Sequence, residues 1–226
     1  MRKVRLLHGG LPWSSKMDWC IPADDLDTLT WPFRYDGPLD VDMAHDAAKP
    51  YLSGHRVAVQ AGGAIGIWPV RLGQLFEKVH TFEPEPVNYE CLSKNTRGMK
   101  NVLCYNAALS DASGMVSMHL DDDYAGHCGA FYTKPGGRIP AVTIDSLRLR
   151  NVDFMWLDIE GGETAALMGA AKTIERCRPV IGFEHREFSA RYSGPTPINY
   201  LKGMGYKLKG KIYGHDYLMI HEAATS

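Results

Sequence analysis

From Arg56 onward the chain repeats one pattern: a short apolar run rich in β-branched residues, a polar turn, then apolar positions spaced three and four apart. Short runs bounded by turn residues read as buried strands, and the three-to-four spacing reads as amphipathic helix. The pattern predicts strands over 57–61, 78–82, 101–105, 152–158 and 179–183. It predicts helices over 67–76, 86–96, 163–177 and 197–204. The first helix gathers Ile65, Trp68, Leu72, Leu75 and Phe76 on one face, and tolerates Pro69 in its first turn, where no intrahelical N–H is needed. Between Gly114 and Leu120 the period changes to two, with residues 130–133 as the partner strand. A short edge strand and a one- or two-turn helix follow over 139–147, and residues 206–208 and 217–220 close the sheet as an antiparallel pair. Strands alternating with helices predict an α/β fold around a mainly parallel sheet.

Residues 1 to about 50 break this regularity, being rich in Pro, Trp and Asp with no sustained period. They are expected to form an irregular N-terminal extension over 1–55 ahead of one domain over 56–226, with a short helix from about Asp40 to Lys49. The aromatic content argues against disorder. The extension could cover a ligand mouth, make a subunit contact or cover a sheet edge. At 226 residues and 45% hydrophobic content, the chain suits a single sizeable core. A net charge of -1 supplies no basic field, so no nucleic-acid partner is expected. There is neither an apolar run near the roughly 20 residues of a membrane span nor a leader-like N-terminus, so no membrane partner and a cytoplasmic location are expected. Cys20, Cys91, Cys104, Cys128 and Cys177 are odd in number and widely spaced, which predicts reduced thiols rather than disulfides or a zinc ribbon.

The candidate chemistry sits where the strands end. Gln60 and the cluster Gly62, Gly63 and Gly66 follow the first strand, Glu83 and Pro84 the second, Asn106 and Asp111 the third, Asp158 and Glu160 the fourth, and Glu184 and His185 the fifth. In an open parallel sheet, ligands bind at these carboxyl ends. Glycines let the backbone turn sharply beside a ligand, although a tight turn can need them for structure alone. Glu83 has no evident packing role and is placed to accept hydrogen bonds from ribose hydroxyls. Tyr124 and His127, in a polar loop over 121–129, could serve a substrate lid or a plain hairpin. Trp13, Trp31 and Trp156 read as packing rather than as a stacking platform.

The segments Val59 to Gly66, Phe82-Glu83-Pro84, Asn88 through Leu92 to Asn95, Asn106 to Asp111, and Leu157 to Glu163 resemble, in order and spacing, the motifs of FkbM-type S-adenosylmethionine-dependent methyltransferases. The resemblance spans about Val57 to Glu184. It implies a doubly wound, mostly parallel, seven-stranded Rossmann-like sheet of the class I methyltransferase kind, with an antiparallel closing strand. It also implies S-adenosylmethionine as cofactor: the glycine turn at the methionine end, Glu83 and Pro84 at the ribose, Asn106, Ala107 and Asp111 on the adenine side, and Asp158 near the reacting methyl. The implied reaction is methyl transfer, expected at a hydroxyl oxygen of a small molecule or glycan. It needs an aligned nucleophile and a base, for which Asp158, Glu160, Glu184 and His185 are the candidates. His185 reads equally well as a surface histidine. These acids could ligate a divalent ion, but no spacing demands one and no metal is expected. Two positions depart from the family: Gln60 stands where an acid is usual, and Ala64 where Asn is common. An amide at 60 forgoes about 1 kcal/mol of charge assistance toward a ligand ammonium. Two other readings stay open: a binding or scaffold protein on a methyltransferase fold, and an NAD-dependent dehydrogenase, which the missing full Gly-x-Gly-x-x-Gly turn disfavours. A homo-oligomer is compatible with the sequence.

Overall fold

The computed structural model describes residues 1–5, 18–23, 25, 39–120, 128–185 and 194–224. Trp13, Trp31, Tyr124 and His127 lie outside the described residues. In chain order the strands are β1 (Arg2–Arg5), β2 (Asp18–Ile21), β3 (Val57–Ala61), β4 (Lys78–Phe82), β5 (Val102–Tyr105), β6 (Ala108–Leu109), β7 (Gly114–Leu120), β8 (Phe131–Pro135), β9 (Ile139–Val142), β10 (Val152–Leu157), β11 (Val180–Glu184), β12 (Tyr206–Lys211) and β13 (Asp216–His221). The α-helices are α1 (Asp40–Ala48), α2 (Ile67–Leu75), α3 (Pro86–Asn95), α4 (Glu163–Met168), α5 (Ala171–Cys177) and α6 (Pro197–Gly203).

A seven-stranded sheet runs in the order β12-β13-β11-β10-β3-β4-β5. Its strands are parallel from β11 to β5, and β13 lies antiparallel between β11 and β12. The central strands are buried along almost their whole length, because helices cover both faces of a parallel sheet. On one face, Val59, Met155, Leu157, Ile181 and Phe183 pack with Ala166, Leu167, Ala170 and Ile174 of α4 and α5 and the turn between them. On the other, Ala58, Val79, Phe154 and Trp156 pack with Val41, Ala44 and Ala48 of α1 and with Leu72 and Phe76 at α2. The order of connection reverses between β3 and β10, so a crevice opens at their carboxyl ends.

Three features depart from the pattern-based expectation. The stretch over 163–177 is two helices, not one. They meet at Gly169 and Ala170, where Gly169 packs so tightly against the Ser110 carbonyl that an added Cβ would lie 2.0 Å from its oxygen. The carboxylate of Asp145 then caps α5, accepting from the N–H groups of Lys172 at 2.9 Å and Thr173 at 2.8 Å. A four-stranded second sheet, β6-β9-β7-β8, forms beside the main one. Its β7–β8 pair is the antiparallel pair the alternation predicts, with His119 opposite Tyr132, whereas the parallel pairing of two-residue β6 with β9 has no local signature. The segment ahead of Arg56 also carries more regular structure than its composition suggests. β1 and β2 pair antiparallel, and Trp19 and Ile21 of β2 are fully buried. Asn95 of α3 clamps β2, accepting from the Cys20 N–H at 2.7 Å and donating to the Cys20 carbonyl at 2.9 Å. Among the described residues no helix is long and apolar enough to cross a membrane.

At the opposite end of the sheet from the crevice, the buried carboxylate of Asp153 accepts from Ser53 Oγ at 2.8 Å, the Arg56 N–H at 2.8 Å and Arg56 Nε at 2.9 Å. Burial pushes this carboxyl up, but the hydrogen bonds from Arg56 and Ser53 outweigh it and hold it below the usual carboxylate range. Asp153→Ala leaves the Arg56 N–H and Ser53 without this acceptor, while the Arg56 side chain, 42% exposed, stays hydrated. The expected loss is about 1–3 kcal/mol of unfolding free energy at neutral pH, measured by urea titration. Because the folded carboxyl titrates below the unfolded one, the gap between wild type and variant should shrink as pH falls below about 4.

Candidate functional site

A cavity of about 360 Å³ occupies the crevice. Its floor is the turns after β3, β4 and β10, and its far wall is Met118 of β7, Phe131 and Thr133 of β8, and residues 128–130. The start of α1 closes one side through Asp40 and Val41.

The turn after β3 sets the geometry. Gly62 has φ +82°, and a Cβ there would lie 1.9 Å from the Asp158 carbonyl oxygen, so the carboxyl ends of β3 and β10 approach closely only because residue 62 has no side chain. The N–H groups of Gly62 and Gly63 both donate to the Phe82 carbonyl, at 3.1 and 3.0 Å, which fixes the turn against the end of β4. Ala64 then adopts φ 44°, left-handed backbone that L-residues seldom occupy, and aims its N–H at Glu83 Oε2, 2.7 Å away. The N–H of Glu85 donates to Oε1 of the same carboxylate at 2.8 Å. Glu83 is only 5% exposed, and burial pushes its carboxyl up to about 7, with the two backbone N–H groups pulling it down and the Glu85 charge pushing it up.

The turn after β10 brings three acids together. Asp158, Glu160 and Glu184 each offer a carboxylate oxygen within 4.8 Å of the others. Glu160 at φ 53° and Gly161 at φ 98° bend the chain, and buried Glu163 holds the bend by accepting from the N–H groups of Ile159 at 3.0 Å and Gly161 at 3.3 Å. Asp158 is held well above the usual carboxylate range by its enclosure and then by the charges of Glu184, Glu160, Asp216 and Glu163. Such a trio can share protons, attract a cationic group or ligate a hard cation through oxygen. Among the described residues the cavity wall carries five acids (Asp40, Glu83, Asp158, Glu160 and Glu184) and no Lys, Arg or His.

Of the residues singled out from the sequence, Gly62, Gly63, Glu83, Pro84, Ala107, Asp158, Glu160 and Glu184 line this cavity. The structure does not bring Gln60, Gly66, Asn106, Asp111 or His185 into its described wall. Gln60 is fully buried beneath the turn: its Nε2 donates to the carbonyls of Ala61 at 3.1 Å and Gly62 at 2.9 Å, and its Oε1 accepts from Thr81 Oγ1 at 2.5 Å. Gly66, at φ +102°, starts α2 against Leu92. The Asn106 amide ties down the carbonyls of Glu83 at 2.9 Å and Pro84 at 3.1 Å. Asp111 is exposed and accepts from Ser110 Oγ, while the His185 N–H donates to the His215 carbonyl and its ring lies beside Tyr217. Asn88 is among the wall residues with no assigned role from sequence. Its Nδ2 donates to the Cys128 carbonyl at 2.7 Å, while its buried Oδ1 has no partner among the described residues. A polar residue on the otherwise buried face of α3 was the available signal.

A seven-stranded sheet of this topology, with its ligand cavity at the switch point, defines the class I methyltransferase fold. The sequence model of the FkbM methyltransferase domain matches residues 71–208, well over half of the chain, and the chain belongs to that family. Among solved structures, the FkbM methyltransferase of Methylobacillus flagellatus KT is 18% identical with a TM-score of 0.50, over 74% of this chain and 44% of that one. This chain thus spans less than half of that protein's length. The Escherichia coli protein yhhF is 10% identical with a TM-score of 0.50, over 97% of this chain and 99% of that one. An rRNA methylase of Streptococcus thermophilus is 15% identical with a TM-score of 0.47, over 80% of this chain and 95% of that one. No curated protein matches the chain.

Two outcomes test this geometry. At φ 44° a β-branched side chain is strained where glycine is not. Ala64→Val should therefore cost about 2 kcal/mol by thermal unfolding, while Ala64→Gly stays within about 1 kcal/mol of wild type. For Glu83 the folded carboxyl titrates near 7 against 4.5 unfolded, so the folded state holds the extra proton between those values. Its contribution to stability is therefore largest below about pH 4.5, declines as pH rises to about 7 and is level above. Measured against Glu83→Gln across that range, the stability of wild type should fall relative to the variant.

Proposed function

We propose that the cavity binds S-adenosylmethionine and that the protein transfers its methyl group to a hydroxyl oxygen of a small molecule or glycan. The observation that carries this reading is the Glu83 carboxylate, held at the end of β4 by the N–H groups of Ala64 and Glu85 with its remaining acceptor capacity at the cavity wall. A buried carboxylate in that position is matched by a pair of ribose hydroxyls, whose O–H groups donate to it and favour its charged form.

The rest of the wall suits the same ligand. Asn88 Oδ1, buried without a partner among the described residues, supplies an acceptor for a donor such as an exocyclic amine. Asp158, Glu160 and Glu184 oppose the positive charge of an ammonium and a sulfonium. Gly62, Gly63 and Ala107 border the cavity with backbone or a single methyl group. When bound, S-adenosylmethionine supplies an electrophilic methyl group on a cationic sulfur. The acids after β10 and β11 then accept the acceptor's hydroxyl proton. With Asp158 held above the usual carboxylate range, the cluster is a stronger base once ionised than an exposed carboxylate. A wall of five acids without a described cation disfavours phosphorylated or carboxylated acceptors and suits neutral hydroxyl groups.

The test is calorimetry with S-adenosylhomocysteine followed by turnover on a panel of hydroxylated acceptors. Wild type should bind, and Glu83→Ala should lose at least about tenfold in affinity with the loss of its charge-assisted hydrogen bonds. With an acceptor in hand, Glu184→Gln should lower turnover far more than it lowers cofactor affinity. No binding by wild type, or equal binding by Glu83→Ala, would sink the reading.

A further inference from the structure

A second concavity, of about 350 Å³, is lined by Asp145, Arg148, Arg150, Lys172 and Arg176. It shares no residue with the transfer cavity. Arg148 and Arg150 precede β10, whereas the cavity lies beyond its carboxyl end, so the length of that strand separates the two, roughly 20 Å at about 3.3 Å per residue.

The hollow is built by specific contacts. Asp145 Oδ2 accepts from the Lys172 N–H at 2.9 Å, and its Oδ1 accepts from the Thr173 N–H at 2.8 Å and Thr173 Oγ1 at 2.7 Å. Arg176 reaches across from α5 to donate to the Leu149 carbonyl at 2.6 Å. These bonds pin the segment carrying Arg148 and Arg150 against the helix carrying Lys172 and Arg176. Left-handed backbone at Arg148 (φ 51°) and Asn151 (φ 58°) folds that segment back sharply. The only acid in the lining, Asp145, already has both oxygens engaged by the backbone and by Thr173. Arg148, Arg150 and Lys172 are exposed and form no ion pair among the described residues. Four cations against one acid leave a net charge of +3 (4 − 1) in the lining of a chain whose total is -1. Crowded like charges repel, and a multivalent anion relieves that repulsion while matching the planar donors of arginine.

We propose that this hollow is a binding site for a multiply charged phosphate group of a small molecule, separate from methyl transfer. Arg148, Arg150 and Lys172 contact the phosphate oxygens, and Asp145 and Arg176 hold the walls in place. The group can arrive free or as an ester, and two probes distinguish these sources: inorganic pyrophosphate and glucose 1-phosphate.

Both probes are titrated calorimetrically into the full-length protein and into the variant Arg148→Ser/Arg150→Ser/Lys172→Ser, with sodium chloride matched for ionic strength as control. Saturable binding of pyrophosphate to wild type is expected, with at least a tenfold loss in the triple variant. Tighter binding of glucose 1-phosphate than of pyrophosphate would assign the site to the ester. Absence of binding, an equal response from the triple variant, or a response reproduced by chloride would overturn the proposal. All three substituted side chains are exposed, so the fold should persist; Lys172→Gln provides the same comparison with one charge removed. S-adenosylhomocysteine binding should be equal in wild type and the variants, which keeps this result independent of the reading of the transfer cavity.

Discussion

The site depends on the contact between Gly62 and the backbone of Asp158. Adjacent parallel strands must diverge or be held together beyond their last ladder bond, and here they are held: the Asp158 N–H donates to the Ala61 carbonyl at 3.1 Å, and the Asp158 carbonyl occupies the space a side chain at 62 would need. The same turn donates twice to the Phe82 carbonyl and once, through Ala64, to the Glu83 carboxylate. Three strand ends are thereby locked to one four-residue segment. The acid trio at the ends of β10 and β11 and Glu83 after β4 take fixed positions relative to each other, as any ligand spanning both would require.

The electrostatic organisation follows from this geometry. A nearly neutral chain has been divided along its sheet: acids collect at the carboxyl ends of the strands, and the Asp145–Arg176 hollow, rich in cations, lies beyond the opposite end of β10. Neither cluster is self-neutralising. In the cavity, burial pushes Glu83 up to about 7, and burial followed by the neighbouring acids holds Asp158 well above the ordinary carboxylate range. A hydrogen-bond donor or a positive charge beside either group would favour its charged form.

How much of this was legible in the sequence divides along the range of the interactions. The central strands and α2 and α3 follow from apolar spacing, and Glu83 stood out because a carboxylate at a strand end has no evident packing role. What could not be read depends on distant partners. The α4–α5 break is imposed by Ser110 and Asp145, which are remote in sequence from Gly169 and Lys172. The wall made by β7 and β8 becomes part of the cavity only once β6 joins β9, a pairing of two residues with no periodic trace. Asn106 and Asp111 share one motif yet separate in space, one clasping the Glu83–Pro84 backbone and the other exposed. A motif fixes which backbone segment borders a cavity; it does not fix which of its side chains turns inward.

Gln60 shows the same point at the level of single atoms. From the sequence it reads as a lost charge at the ligand's ammonium. In the structure its Nε2 donates to two carbonyls and its Oε1 takes the Thr81 hydroxyl, all beneath the cavity floor. A carboxylate in that rotamer would face the Ala61 and Gly62 carbonyl oxygens with no proton to offer, loosening the turn on which Glu83 and Asp158 both rely. It would also add a sixth acid next to a cavity where Asp40, Glu83 and Asp158 are already pushed toward protonation. A neutral amide at 60 therefore serves the turn, and the negative charge of the cavity wall lies instead with residues such as Asp158, Glu160 and Glu184. The amide at 60 is thus accounted for by the hydrogen bonds that fix the turn beneath the cavity.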